Sequence, residues 1–515
     1  MINPIVRFIS YASACLLALL APALSAQAGS RVHASSPFVS IGPKATHVGG
    51  VVGHQILFTC QLGLFEPDFV CYDPTQIRHA YTIDSVLNAG YTGAGHTIVI
   101  VDAFQSPTLN DDVDTFSANY GLPLTSSGYL TQVAPNGSVP FDFGDTNMVG
   151  WSSEITLDVS WAHAIAPAAK IVLVLAKTND DGDIFNAVKY AVDNNLGDVI
   201  SMSFGENESC TDPDLVSQYH DVFTAATQKG ITLFASSGDQ GAAQPTCNGS
   251  SWVRAASHPA SDPLVTGVGG TELHAAYYCF GLPPPFPACD PNTSPAPGTY
   301  QGEIAWNEPP GTADPDNSGS TGGGFSVLFD EPPYQKATLP GGKQRAVPDV
   351  AYSSAVLHGV LVRWSVLGIA IPGFCDPSDP TDCWFLFGGT SAGSPQWAGM
   401  TVLANQKAGK RLGFLNSAIY QIGKVNKAYP SSFHDITSGN NSVIELDASN
   451  KPVFVAGFAA GPGWDATTGI GSPIDTSLVD YLIRYVSPGD GQAAISTTKP
   501  KPHPKPAVPG SMKPQ

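Results

Sequence analysis

Ser391 lies in the stretch GGTSAGSP, residues 388–395, and is the residue best placed for covalent chemistry. A serine hydroxyl becomes a nucleophile only when a base within hydrogen-bond reach takes its proton. The stretch fits two patterns for such a serine. Gly389-Thr390-Ser391-Ala392-Gly393 reads G-x-S-x-G, while Gly389-Thr390-Ser391 with Pro395 four residues on fits the second. The first pattern requires an acid and then a histidine downstream. Beyond Ser391 the only histidines are His434 and His503, and no Asp or Glu stands between Ser391 and His434. His503 sits in a Pro-rich tail. The second pattern requires Asp, His and Ser in that order. Asp102 could supply the acid, but none of the twelve histidines opens a helix in the required context.

Carboxylates remain. The segment WSSEITLDVSWAHAIA (151–166) has helical periodicity, with Ser152 or Ser153 as its cap. Glu154 and Asp158, four residues apart, fall about 40° apart on one face of that helix. His163 falls about 180° from Glu154 and about 140° from Asp158, so it cannot face Ser391 with them. It is expected to be a packed structural histidine. A Glu-x-x-x-Asp pair taken alone is usually a solvated face, and Asp239 alone reads as a turn residue. The same reading applies to Asp349, after Pro348.

The elements that would carry these residues alternate. HTIVIVDAF (96–104), KIVLVLAK (170–177), DVISMSFG (198–205) and GITLFASSGD (230–239) are buried-strand signals. Helical stretches fall near 110–119, 151–166, 183–195 and 212–229. Alternation of this kind predicts an α/β fold with a doubly wound, mostly parallel sheet. Sites in such sheets lie beyond the carboxyl ends of the strands, where Asp102, Ser203 and Asp239 fall.

Helix-borne Glu154 and Asp158, then Ser237-Gly238-Asp239, then Gly389-Thr390-Ser391, together resemble the sedolisins, the serine-carboxyl peptidases. SMSFG (201–205), GGGFS (322–326) and RAVPDVA (345–351) are also similar to blocks of that family, in its order, over about 72–487. The resemblance implies a subtilisin-like fold in a single catalytic domain with helices on both sheet faces. It implies Ser391 as the acylated nucleophile and Glu154 as its base, with Asp158 holding the proton and orientation of Glu154. Asp239, protonated, would donate to the oxyanion. Paired carboxyls share a proton because both cannot ionise cheaply at close range, so activity belongs in acid. FHDITSG (433–439) and AGPGWDATTGIGSP (460–473) resemble the family's calcium site. That match assigns carboxylates from Asp435 and Asp465 and main-chain carbonyls from Ile436, Gly461 and Gly463 to one structural Ca²⁺, a cation that takes six to eight oxygens. Residues 29–71 would be a short extension where the family usually carries a large prodomain, and Asp102 is an additional acid without an assigned role.

Composition sets the outer bounds. The chain has 515 residues, with 24 basic against 43 acidic side chains and a net charge of −19. Such a surface repels nucleic acid and anionic membranes. Residues 1–28 read as a secretory signal, with Arg7, an apolar run to Leu20 and a cleavage site at Ala26-Gln27-Ala28. Apart from Cys15 inside that run, eight cysteines remain, an even number that predicts disulfides in an exported chain. Pairing between sequence neighbours is expected: 60–71, 210–247, 279–289 and 375–383. Residues 275–300 and 372–383 read as surface loops, and 488–515 as an extended Pro/Lys-rich disordered tail. The expected protein is a secreted monomeric peptidase acting on polypeptides. The alternatives are a non-catalytic binding protein on the same scaffold and a G-x-S-x-G esterase or lipase.

Overall fold

Short apolar runs rich in Val, Ile and Leu form strands because both faces of each are covered. The structure, a computed structural model, describes residues 45–47, 57–62, 70–280, 289–308, 319–336, 338 and 342–501. The central strands are β1 (Thr97–Ala103), β2 (Leu130–Val133), β3 (Lys170–Ala176), β4 (Val199–Met202) and β5 (Thr232–Ser236). They continue with β6 (Thr266–Ala275), β7 (Tyr300–Ala305) and β8 (Val350–Ser353). All eight form one sheet in the order β7-β6-β5-β4-β1-β3-β2, with β8 beside β6. Every pairing is parallel except β6 with β7.

The helices between these strands are α1 (Leu109–Tyr120), α2 (Thr146–Ile165), α3 (Asp181–Asp193) and α4 (Pro213–Gln228). A further helix, α5 (Gly393–Ala408), follows the candidate nucleophile. The step from β1 to the edge strand β2 runs one way across the sheet, and the steps from β2 to β3, β3 to β4 and β4 to β5 run the other way. The β3-to-β4 and β4-to-β5 crossovers put α3 and α4 on one face, whereas α2, between β2 and β3, groups with α1. Helix α2 also packs with α5, and α3 with α4. The strand order reverses beside β1, so its carboxyl end, at Asp102, is the switch point where ligands bind in such folds. The doubly wound sheet expected from the alternating pattern is present.

Helix α2 departs from its expected start. It begins at Thr146 and is capped by Asp145, whose carboxylate accepts the main-chain N–H groups of Asn147 and Met148 at 2.9 and 3.4 Å. Ser152 and Ser153 are not caps; their hydroxyls donate to the carbonyls of Val149 and Gly150, both at 2.6 Å. The helix is buried on all sides from Trp151 to Ile165, so the solvated-face reading of Glu154 and Asp158 does not hold. Indole N–H groups fasten it in place. Trp161 donates to the Leu361 carbonyl at 3.1 Å, and Trp364 donates to the Ser152 hydroxyl at 3.0 Å. Both partners beyond the helix belong to or adjoin His358–Arg363, a strand of a second sheet. That sheet runs in the order 45–47, 384–387, 358–363, 70–72, so part of the expected N-terminal extension is built into the domain.

All four expected disulfides are present: Cys60–Cys71, Cys210–Cys247, Cys279–Cys289 and Cys375–Cys383. Two expectations are corrected. Asp349 is no turn residue. It is fully buried, paired with the equally buried Arg345 at 2.5 Å, and accepts from the Gly267 N–H and the Tyr420 hydroxyl. A guanidinium taken out of water needs that partner. The tail is not extended from residue 488. Asp490–Thr497 forms a helix, the Thr498 carbonyl accepts from His220 at 2.8 Å, and the Lys501 N–H donates to the Leu328 carbonyl at 2.7 Å. The helical stretch contains Ala493, Ala494 and Ile495, and the Pro/Lys alternation starts only at Lys499. The proposed signal, residues 1–28, lies outside the described residues, as does 502–515.

Candidate active site

The three separate motifs converge. Ser391 sits in a single 3₁₀ turn, Thr390–Ala392, that leads directly into α5. The strand 384–387 delivers it, and the turn is held against the loop after β5. The Asp239 carboxylate accepts from the Thr390 N–H at 2.7 Å and from the Thr390 hydroxyl at 2.9 Å. Gly389 adopts φ +91°, and a Cβ there would stand 2.6 Å from the Asp239 carboxylate. Only glycine permits this approach. On the other side, α5 meets α2 at Gly399, where a Cβ would be 2.8 Å from the Ile165 side chain. That close crossing brings the acidic helix behind the serine.

Glu154, Asp158, Asp239, Ser391 and Asp102 all lie within about 1% of full burial. Burial raises the pKa of Glu154 well above the usual carboxyl value, and Asp158, Asp102 and Asp239 raise it further. The Ser391 hydroxyl opposes this and favours ionised Glu154. Asp158 is likewise raised by burial and then by Asp102, while the Ser203 hydroxyl donates to both its oxygens at 2.8 and 3.0 Å. Asp102 is raised to about 8 by burial, and both its oxygens lack a partner. Three carboxyls thus share a site that cannot hold three charges. Protonated forms dominate there well above the range in which free carboxyls ionise.

His163 faces elsewhere, as its angle on the helix requires. It stacks on Tyr129 at 3.8 Å between ring centres, and its Nε2 lies 2.8 Å from the Pro123 carbonyl. Burial pushes its pKa down to about 4. Ser203 and Asp102 also adjoin the carboxyl pair, and their position at strand ends was the available signal. An open cleft of about 500 Å³ adjoins the carboxyl ends of β1, β2 and β3, lined in part by Gln105, Ser106, Gln132 and Leu175.

Away from this centre, Asp435 and Asp465 each hold the backbone of the 461–463 glycine loop. The Asp435 carboxylate accepts from the Gly463 N–H at 3.0 and 3.1 Å. Asp465 accepts from the Gly461 N–H at 2.9 Å, and from the Thr467 and Thr468 N–H groups at 2.8 Å each. Burial raises the pKa of Tyr429, and both acids, acting electrostatically, raise it further. Among the described residues no Lys, Arg or His pairs with either acid. Two uncompensated carboxylates beside a glycine loop with oxygen donors fit a hard cation.

With this geometry in hand, comparison places the chain. The sequence profile of the subtilase family matches residues 144–421, more than half of the chain. Kumamolisin of Bacillus sp. (strain MN-32) is 32% identical over 427 residues, which cover 81% of this chain and 64% of that protein. Sedolisin of Pseudomonas sp. (strain 101) is 27% identical over 421 residues, covering 80% and 61%. The solved structure of Pseudomonas sedolisin, a serine-carboxyl proteinase complexed with two molecules of pseudo-iodotyrostatin, superposes with a TM-score of 0.62 at 25% identity. It covers 81% of this chain and all of that one. The chain belongs to the subtilase family, in its sedolisin branch. The match takes in less than two thirds of the length of these two curated relatives.

Proposed function

We propose that this chain is an acid-active serine-carboxyl peptidase that cleaves polypeptides through an acyl-enzyme on Ser391. The observation that carries this reading is the buried Glu154–Asp158 pair behind Ser391, whose hydroxyl favours ionised Glu154. In the attack step Ser391 Oγ bonds to the scissile carbonyl carbon and its proton passes to Glu154. Asp158, held by Ser203, orients Glu154 and spreads the shared charge. Asp239 in its protonated form donates to the developing oxyanion, and its contact with Thr390 fixes its distance from the serine. Glu154 then returns the proton to the leaving amine, and the same groups activate water for deacylation. Asp102 adds a third acid at the switch point and keeps the cluster protonated.

A structural calcium ion would be held by the carboxylates of Asp435 and Asp465 and the carbonyls of Ile436, Gly461 and Gly463. Bound there, it supplies positive charge that pins the 433–439 and 460–473 segments together. The four disulfides favour an oxidising, extracytoplasmic setting. The acidic surface suits solution in acid, and no helix among the described residues is long and apolar enough to cross a membrane.

The test is hydrolysis of a denatured protein at acidic and neutral pH by the parent chain and by Ser391→Ala and Glu154→Gln. Activity confined to acid and lost in both folded variants is expected. Near-normal activity in either variant refutes the assignment.

A further inference from the structure

Outside the catalytic centre, Glu272, His274 and His358 bring one carboxylate and two imidazoles together, with ligand atoms all within 4.8 Å of one another. Glu272 and His274 are two apart on β6, so their side chains leave the same face of the sheet. His358 opens the strand His358–Arg363 of the second sheet. Glu272 Oε1 lies 3.2 Å from His274 Nε2 and 3.8 Å from His358 Nε2. Two ligands each about 2.0–2.1 Å from a tetrahedral zinc stand about 3.3 Å apart, so the observed separations bracket that spacing.

The tautomer is also set. His358 Nδ1 lies 3.1 Å from the Leu273 carbonyl. A carbonyl cannot donate, so Nδ1 carries the hydrogen, and in neutral imidazole the Nε2 lone pair then points towards Glu272. A main-chain carbonyl behind the second ring nitrogen is the usual outer support of a metal-binding histidine. The Tyr72 hydroxyl donates to the same carbonyl at 2.7 Å, which fixes that support in turn. His358 is buried, whereas the His274 side chain is 38% exposed, so an ion has a way in and a position open to water.

We infer that Glu272, His274 and His358 form a binding site for a divalent transition-metal ion of the zinc type. Two imidazoles and one carboxylate suit zinc or cobalt rather than calcium. The ion would join β6 of the main sheet to the strand His358–Arg363. That strand pairs with Trp384–Phe387, which delivers Ser391. The site would thus brace the nucleophile's support without touching substrate.

The test uses the full chain carrying Ser391→Ala to prevent self-cleavage, at neutral pH, with excess Ca²⁺ throughout. Zn²⁺ is titrated by calorimetry and Co²⁺ by its visible d–d absorption. One ion per chain, a cobalt spectrum of low coordination number and a Zn²⁺-dependent rise in Tm are expected. His274→Ala, chosen because the residue is partly exposed, should keep the metal-free Tm and weaken binding more than tenfold, a loss that even outer-shell partners can cause. Glu272→Gln should do likewise. No stoichiometric binding by the parent overturns the inference and leaves a histidine–carboxylate ion pair. So does binding that is unchanged in both folded variants.

Discussion

Asp102 offers the most informative perturbation, because its burial ties the stability of the fold to its protonation state. Its carboxyl is fully buried at the end of the central strand, neither oxygen has a partner, and its pKa rises from the usual 3.8 to about 8. The folded chain therefore holds a proton that the unfolded chain releases above pH 3.8. Between these values the folded state binds more protons, so stability falls as pH rises, by about 1.4 kcal/mol per unit. From pH 4 to pH 7 this one group removes on the order of 4 kcal/mol. Asp102→Asn has the shape of the protonated acid and cannot ionise. The comparison to make is the change in unfolding free energy between pH 4 and pH 7, measured by urea denaturation in a Ser391→Ala background. A fixed cost of the amide cancels in that difference, and the variant should lose roughly 4 kcal/mol less than the parent. In acid, where Asp102 is already neutral, Asp102→Asn with Ser391 intact should retain activity. A proton-transfer role would cost about 10²–10⁴ in kcat, so a folded Asn variant that lost that much in acid would refute the reading of Asp102 as a neutral acid that transfers no proton. An unchanged pH dependence of stability would refute the raised pKa itself.

Other outcomes follow from the same geometry. Asp239→Asn keeps a donor at every pH and should stay active with its alkaline limb moved upward, whereas Asp239→Ala should lose about 10²–10³ in kcat. A pH–rate profile in which the folded Asn variant is as inactive as Ala throughout removes the donor role. Chelation of calcium should lower Tm, since an ion at 100 times its Kd stabilises by about 2.7 kcal/mol, and Asp465→Asn should abolish the difference. A melting curve indifferent to chelator in a metal-free sample counts against that site. Asp349→Ala strands the Arg345 guanidinium in the core and should cost about 3–5 kcal/mol in urea unfolding. A loss below about 1 kcal/mol, the size of an exposed pair, shows that the pair is dispensable.

The strands around the site were legible because each is a short apolar run between polar breaks, and the parallel order followed from their alternation with helices. Glu154 and Asp158 could be paired from helical spacing alone, and His163 excluded by the same count. The start of α2 was hidden, because it opens on the polar pair Thr146-Asn147 with Gly150 close behind, and its cap, Asp145, stands two residues after Phe143. Asp349 was misread since a Pro-Asp pair resembles a turn. Its counterion, Arg345, sits only four residues away, but nothing local shows that both are buried. Glu272, His274 and His358 could not be grouped at all, because two chain-distant strands bring them together.

The disulfides bridge sequence separations of only 11, 37, 10 and 8 residues. Each partner cysteine is therefore the next one to emerge during synthesis or export. Oxidation can proceed vectorially, bridge by bridge, with native pairs forming before a competing thiol arrives. No bridge has to wait for the long-range closure that joins residues 45–47 to 384–387. Covalent maturation and assembly of the catalytic centre are thus uncoupled, and a correctly oxidised chain can exist before it has a functional serine.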